Sequence, residues 1–297
     1  MKISRRNFIK TAAAVTAAGS LLPRRLTAAE DGTVLYVAEG TDVKKMLETA
    51  IAEMGGWGAF VKKGQKATVK PNAAWVSRPE EGGNTDPALV GECVAACRKA
   101  GASEVVIPEN PCSRPEKAFD ISGIEKAATD AGGRMYCPRK GGHFRKTRIP
   151  RGRNFKEAEV VPDVLDTGCL INMPVAKTHS GATLTLSMKN WMGSVKNRGY
   201  LHRNNLHRCI ADLSTLIKPT LIIMDATRIM VTGGPRGPGK LSYPNRIILG
   251  TDPVAVDAFS ATLFGKKPFD VLHIKMAHED GIGCGDLDKV KVVELKA

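Results

Sequence analysis

The chain has 297 residues, a formal net charge of +14 and seven cysteines, an odd number in a length far beyond that of a small disulfide-stapled scaffold. A basic surface of this kind favours anionic ligands or membrane head groups. The sequence has neither a zinc-finger spacing nor a basic stripe interleaved with aromatic residues, which argues against nucleic acid as a partner.

The first ten residues read MKISRRNFIK, a basic stretch with paired Arg5 and Arg6 followed by Phe8, and an Ala-rich apolar run extends from Thr11 to Leu22. That run is too short for a bilayer, which takes about 20 apolar residues. The small residues Thr27, Ala28 and Ala29 follow it, so the order predicts a removable signal over residues 1–29, cut after Ala28 or Ala29, and a mature domain over 30–297. Ser4, Arg5, Arg6, Phe8 and Lys10 resemble the twin-arginine signal pattern, with Ile9 in place of Leu. The resemblance implies passage through the twin-arginine translocase, folding before export, and a periplasmic or other extracytoplasmic destination. It also suits a protein loaded with a cofactor in the cytoplasm, without identifying one. Six of the positive charges lie in this segment, so the mature chain of about 268 residues keeps +8. Folding before export takes place under reducing conditions, so mostly free thiols are expected. No later apolar stretch is long enough to form a stable membrane span.

Along the mature chain, short β-rich runs alternate with helical patterns, which predicts an α/β fold. Its sheet is mixed or mostly parallel and flanked by helices, with either one large domain or two lobes and a cleft at the strand C-terminal ends. Val34 to Val37 reads as the first strand, and Val43, Met46, Leu47, Ile51 and Met54 then form one helical face, stopped by Gly55 and Gly56. Ala67 to Val69 is a short strand ending in Lys70-Pro71-Asn72. Asp86 is placed to cap a helix with Pro87 at its first position and a stripe of Leu89, Val90, Cys93, Val94 and Cys97. Glu104 to Ile107 is a strand, and Pro115 to Ala131 reads as helical. The segment from Arg139 to Arg153, rich in Gly and cations, is a loop or hairpin at the candidate lobe boundary. Further strands are expected at Cys169 to Met173, Leu221 to Met224 and Arg246 to Leu249, and helices near Asn205 to Ile217, Pro253 to Phe264 and Val271 to His278.

The chemistry-bearing residues gather where strands end. The segment INMPVAKTHSGATLTLSMKNWMGSV, Ile171 to Val195, carries Lys177, His179, Lys189 and Asn190 among small and hydroxyl residues. Polar groups at strand C-termini are where open α/β sheets bind ligands. If Thr183 to Met188 is extended, Leu184, Leu186 and Met188 share one face and Lys189 points away from the apolar layer. Lys70 and Asn72 repeat this logic at an earlier strand, and Asp225 closes the run TLIIMD. In the loop TGGPRGPG, Gly233 and Gly234 permit close backbone approach, and Arg236 is suited to a carboxylate or phosphate. Asp257, inside the apolar VAVDAFSA, needs either a site role or a structural hydrogen bond. Cys112 and Cys284 occupy loops, but no Cys-x-x-Cys spacing supports a self-contained iron–sulfur cluster, and no histidine spacing supports a structural zinc, so any metal ligand stays unknown.

Together, Lys70-Pro71-Asn72, the stretch from INMPVAKTH to SMKNWMGSV, Met224-Asp225-Ala226, Gly233-Gly234-Pro235, TDPVAVDA and Gly281-Ile282-Gly283 resemble the family catalogued as domain of unknown function 362. Members are often fused to ferredoxin-like iron–sulfur modules, so the resemblance implies redox company. Lacking a cysteine quartet, this chain would leave a cluster to an iron–sulfur redox partner. The reading is an exported α/β enzyme or redox-associated protein that binds a small anionic ligand or cofactor in its cleft. Lys70, Lys177 and Lys189 supply positive charge, Asn72 and Asn190 orientation, His179 a general acid or base, and Asp225 or Asp257 a counter-charge. Two alternatives stand beside it: a non-catalytic solute-binding or cofactor-delivery protein, and a scaffold that docks an iron–sulfur partner.

Overall fold

The computed structural model describes residues 32–138 and 143–297. Arg5, Arg6 and the whole predicted signal lie outside the described residues, as do residues 139–142 of the Gly- and cation-rich segment. The strands are β1 (Thr33–Glu39), β2 (Lys66–Pro71), β3 (Glu104–Pro108), β4 (Arg134–Tyr136), β5 (Arg145–Arg148), β6 (Glu157–Val160), β7 (Cys169–Met173), β8 (Val175–His179), β9 (Thr183–Thr185), β10 (Leu221–Met230), β11 (Leu241–Ser242), β12 (Arg246–Gly250) and β13 (Val290–Lys296). The helices are α1 (Val43–Glu53), α2 (Pro87–Lys99), α3 (Pro115–Ile121), α4 (Ile124–Asp130), α5 (Pro162–Leu165), α6 (Ser187–Asn190), α7 (Arg198–Arg203), α8 (Leu206–Leu216), α9 (Pro253–Thr262) and α10 (Leu272–Glu279).

The main sheet has eleven strands, with β13-β1-β12-β10-β7-β2-β3-β4 as its spine; β8 and β11 pair with β10, and β9 with β8. Along the spine only β12 runs against its neighbours, so the sheet is mixed and mostly parallel, flanked by helices. Alternation of apolar residues explains the layers. Leu221 and Ile223 of β10 join Ile171 of β7 and Ile247 and Leu249 of β12 under α1, α2 and α4. Ile222 and Met224, one residue out of phase, join Leu170 and Ile248 under α8, α9 and α10. A period of two with both phases apolar is what a sheet covered on both faces requires. Each fully buried Leu or Ile contributes about 1.5–3 kcal/mol.

Local signals behave as the sequence suggests at several helix starts. Asp86 and Asp252 each accept two backbone N–H bonds at the heads of α2 and α9, with Pro87 and Pro253 at the first helical positions. The stretch Pro115 to Ala131 instead divides into α3 and α4, because Gly123 adopts a left-handed φ of 70° between them. Asp225 does not close its strand. β10 continues five residues further because it changes partners there: β7 ends at Met173, the Asp225 N–H donates to Pro174 O at 2.8 Å, and β8 takes over.

The expected extended run from Thr183 to Met188 is also shorter than expected. Only Thr183–Thr185 is strand, and Ser187–Asn190 turns into α6. The cause lies far away in sequence: Asp257 of α9 accepts the Ser187 N–H at 2.7 Å and the Met188 N–H at 3.1 Å, capping that turn. Lys189 is thereby carried round into the molecule instead of outward, and its side chain is buried. Replacing Asp257 with Ala would leave two buried N–H groups without acceptors, an expected loss of about 2–4 kcal/mol. A urea titration should show the midpoint falling with little change in slope.

Candidate functional site: a cationic cleft at the strand ends

The C-terminal ends of the parallel strands β2, β3 and β7, with β8 and α6, surround a cavity of about 310 Å³ lined by residues that include Asn72, Glu109, Lys177, His179, Lys189 and Asn190. Its floor is an ion pair with no solvent exposure on the lysine side. Lys70 Nζ donates to Glu109 Oε2 at 2.8 Å and to Pro71 O at 2.7 Å, and the Ala73 N–H donates to the same carboxylate oxygen at 3.0 Å. Burial pulls the Lys70 pKa down, and Glu109 pushes back against that shift. Gly193 lies flat against the pair: a Cβ there would stand 2.1 Å from Glu109 Oε1 and 2.8 Å from Lys70 Nζ.

Above this floor runs a ladder of carboxamides. Lys177 Nζ donates to Asn72 Oδ1 at 3.1 Å and also to Gly83 O. Asn72 Nδ2 donates to Asn190 Oδ1 at 3.2 Å, while Asn190 Nδ2 donates to Asn172 Oδ1 at 2.8 Å and Lys70 O at 3.0 Å. Asn172 Nδ2 ends the chain on Ser187 O at 2.9 Å. Every member is buried, so each amide is locked in one orientation by partners that also need satisfying.

The cations do not balance. Lys177 bonds only to neutral oxygens, and Lys189, 9% exposed, has no hydrogen-bond or ion-pair partner among the described residues. Burial brings Lys177 down to about 7, helped by the Lys189 ammonium, and brings Lys189 down to about 8. Arg198 adds a third charge, its guanidinium held by the carbonyls of Asn110 and Pro111. Glu109, already paired, is the one acidic residue in the cavity lining among the described residues.

His179 has a fixed tautomer. Its Nδ1 accepts the N–H groups of Gly181 and Ala182, both at 3.0 Å, which leaves the proton on Nε2. Burial, then Lys189 and the stacked His202 ring, push its pKa down to about 3. A neutral ring with that tautomer is a hydrogen-bond donor, not a base.

The remaining predicted residues lie apart from the lining. Asp225 is buried but occupied by the Asp86 N–H, the Thr227 N–H and the Thr227 hydroxyl, so it pins α2 to β10. Asp257 is occupied by the two N–H groups of α6. Gly233 and Gly234 support the loop: at Gly234 a Cβ would meet Thr178 O at 2.0 Å, and this tight seat brings Pro235 to the cavity wall. Arg236 is exposed and absent from the lining, where Arg198 stands instead.

Sequence reasoning did not select Glu109, Asn172, Arg198 or His202. Glu109 follows β3 directly, so the strand-end rule applied to Lys70 would have found it. Asn172 shares the β2–β7 register with Lys70, a pairing invisible before the sheet is assembled. Among the described residues, no group of three or more His, Cys, Asp or Glu is placed to hold a metal ion.

Two of the three buried lysines among the described residues, Lys70 and Lys189, should respond oppositely to removal of charge. Lys70→Met would strand Glu109 without its cation, a cost of about 3–5 kcal/mol. Lys189→Met would remove an unpaired charge from a largely buried side chain and should raise stability by roughly 0.5–2 kcal/mol. Thermal unfolding of the two variants beside the wild type measures both signs, at about 2–4 °C per kcal/mol.

Comparison with known proteins finds similarity both in sequence and among solved structures. A thylakoid-associated protein of Synechocystis is 24% identical over 209 residues, covering 64% of this chain and 60% of that relative, so the chain spans less than two thirds of its length. Among solved structures, the lactate racemase apoprotein of Thermoanaerobacterium thermosaccharolyticum has a TM-score of 0.42 at 11% identity, over 70% of this chain and 54% of that one. A Thermotoga maritima protein has a TM-score of 0.42 at 9% identity, over 81% of this chain and 60% of its own. A twin-arginine translocation signal sequence is matched at residues 2–21, so the chain is directed across the membrane by the twin-arginine translocase. No helix among the described residues is long and apolar enough to cross a membrane. The family Domain of unknown function (DUF362) is matched over residues 68–262, a span that takes in the whole ladder from Lys70 to Asn190, and the chain belongs to that family.

Proposed function

We propose that this exported protein binds a small anion in the strand-end cleft, with Lys177, Lys189 and Arg198 as its counter-charge. The observation that carries the reading is Lys189, a largely buried side chain that lines the cavity and has no hydrogen-bond or ion-pair partner among the described residues. Burying such a charge is costly unless a partner meets it. Lys177 already spends two donors on neutral oxygens and keeps one. His179 Nε2–H supplies a neutral donor, and the locked amides of Asn72 and Asn190 hold the walls in place.

If the bound anion is also transformed, Lys189 is the group suited to exchanging a proton. Its pKa near 8 lies close to working pH, whereas His179 stays neutral throughout that range. A solute-binding or cofactor-delivery protein would use the same cations without turnover. A scaffold for an iron–sulfur partner would use the outer surface, and its association would survive Lys189→Met.

Titration calorimetry with sulfate, orthophosphate and succinate tests the binding reading. Loss of one charge-assisted hydrogen bond, about 1.5–3 kcal/mol, predicts at least a roughly tenfold weaker affinity for Lys189→Met. Equal affinity in that variant, or no anion bound by the wild type, would sink the reading. Sulfate keeps its charge between pH 6 and 9, so its pH dependence reports on the protein alone. Affinity should fall as pH rises, because Lys177 and then Lys189 lose their protons near 7 and 8.

A further inference from the structure

We propose that Cys112 is a covalent-modification site of the same cleft, a thiol that takes anionic electrophiles of the class of carboxylate-bearing disulfides. Of the seven cysteines, four are buried, Cys137 and Cys284 are half-buried, and Cys112 alone is exposed. It lines the cavity with Lys177, Lys189 and Arg198. Its position is set by the backbone: the Cys112 N–H donates to Ala74 O at 2.9 Å, and the two carbonyls just before it are held by the Arg198 guanidinium.

Lys189 independently points to a ligand at this place. More than nine-tenths buried and without a partner among the described residues, it offers an ammonium to whatever anionic group enters beside the thiol. Cys112 is also close enough to interact electrostatically with Lys70, Lys177 and Lys189. A cleft with an excess of one sign of charge focuses its field and raises the local concentration of ligands of the opposite sign. Export adds the chemical setting, since disulfides form and persist outside the cytoplasm.

The step balances without a further reactant. The Cys112 thiol releases its proton to solvent, the thiolate attacks one sulfur of the disulfide, and that S–S bond breaks. A mixed disulfide forms on Cys112, and the other half departs as a thiolate.

The proposal rests on the same excess of cations as the anion-binding reading, and charge-matched alkylation separates the two. Iodoacetate and iodoacetamide each form an S–C bond and release iodide, but only the first is anionic. The full chain is labelled with each reagent, and rates at Cys112 are read by peptide mass spectrometry, with N-acetylcysteinamide, which has no carboxylate, as the free-thiol reference. The iodoacetate-to-iodoacetamide rate ratio at Cys112 should exceed the reference by about tenfold at low salt. It should shrink toward the reference at about 1 M salt, where the screening length is near 3 Å, and collapse in Lys189→Met. A ratio equal to the free thiol's, or one that salt leaves unchanged, overturns the proposal. The salt series needs only wild-type protein, so it decides the matter even where a variant fails to fold. Charge-selective labelling that sulfate suppresses no better than chloride at equal ionic strength supports the thiol site and counts against the anion-binding reading.

Discussion

The buried ion pair between Lys70 and Glu109 is the constraint around which the cleft is built. Two charges removed from water need each other and need further hydrogen bonds, and here Pro71 O and the Ala73 N–H supply them. The pair draws the ends of β2 and β3 together and demands a glycine at position 193, so the segment after α6 must pass close above it. Because the two charges are paired, Glu109 is largely offset by Lys70 although it lines the cavity. The positive character of the cleft therefore belongs to Lys177, Lys189 and Arg198.

Those cations are held by neutral groups. Asn72, Asn190 and Asn172 form a ladder in which each amide's direction is dictated by the next, and the ladder ends on the backbone of α6. α6 in turn exists because Asp257 caps it from α9. A carboxylate nearly seventy residues downstream thus decides where Lys189 points. The arrangement sacrifices some stability, since a lysine whose pKa is lowered to about 8 by burial is less comfortable folded than unfolded. Groups perturbed in this way cluster at functional sites.

Much of the frame was legible in the residues. Alternating strand and helix patterns predicted an α/β sheet covered on both faces, and Asp86-Pro87 and Asp252-Pro253 marked two helix starts that form as expected. The strand-end rule brought Lys70, Asn72, Lys177, His179, Lys189 and Asn190 into view, and all but Lys70 line one cavity, with Lys70 bonded to Glu109 of that lining. The rule failed where contacts are remote. Asp225 looked like a strand end because it closes the apolar run TLIIMD, but β10 only changes neighbours there, and partner exchange leaves no local trace. Arg236 looked like an anion ligand from its glycine-rich loop, yet the close seat of Gly234 against Thr178 turns the wall over to Pro235.

By itself the sequence determined that this chain is exported and roughly what its layers are, because a signal is read as a linear string and hydrophobic periodicity is a local property. It also supplied the chemical types present at the strand ends. Only the tertiary structure decided which cations are left without a carboxylate. Glu109 neutralises Lys70 and not Lys189 because β3 lies beside β2, and that adjacency arises only once the sheet is assembled. The sign and focus of the cleft follow from that one neighbour relation.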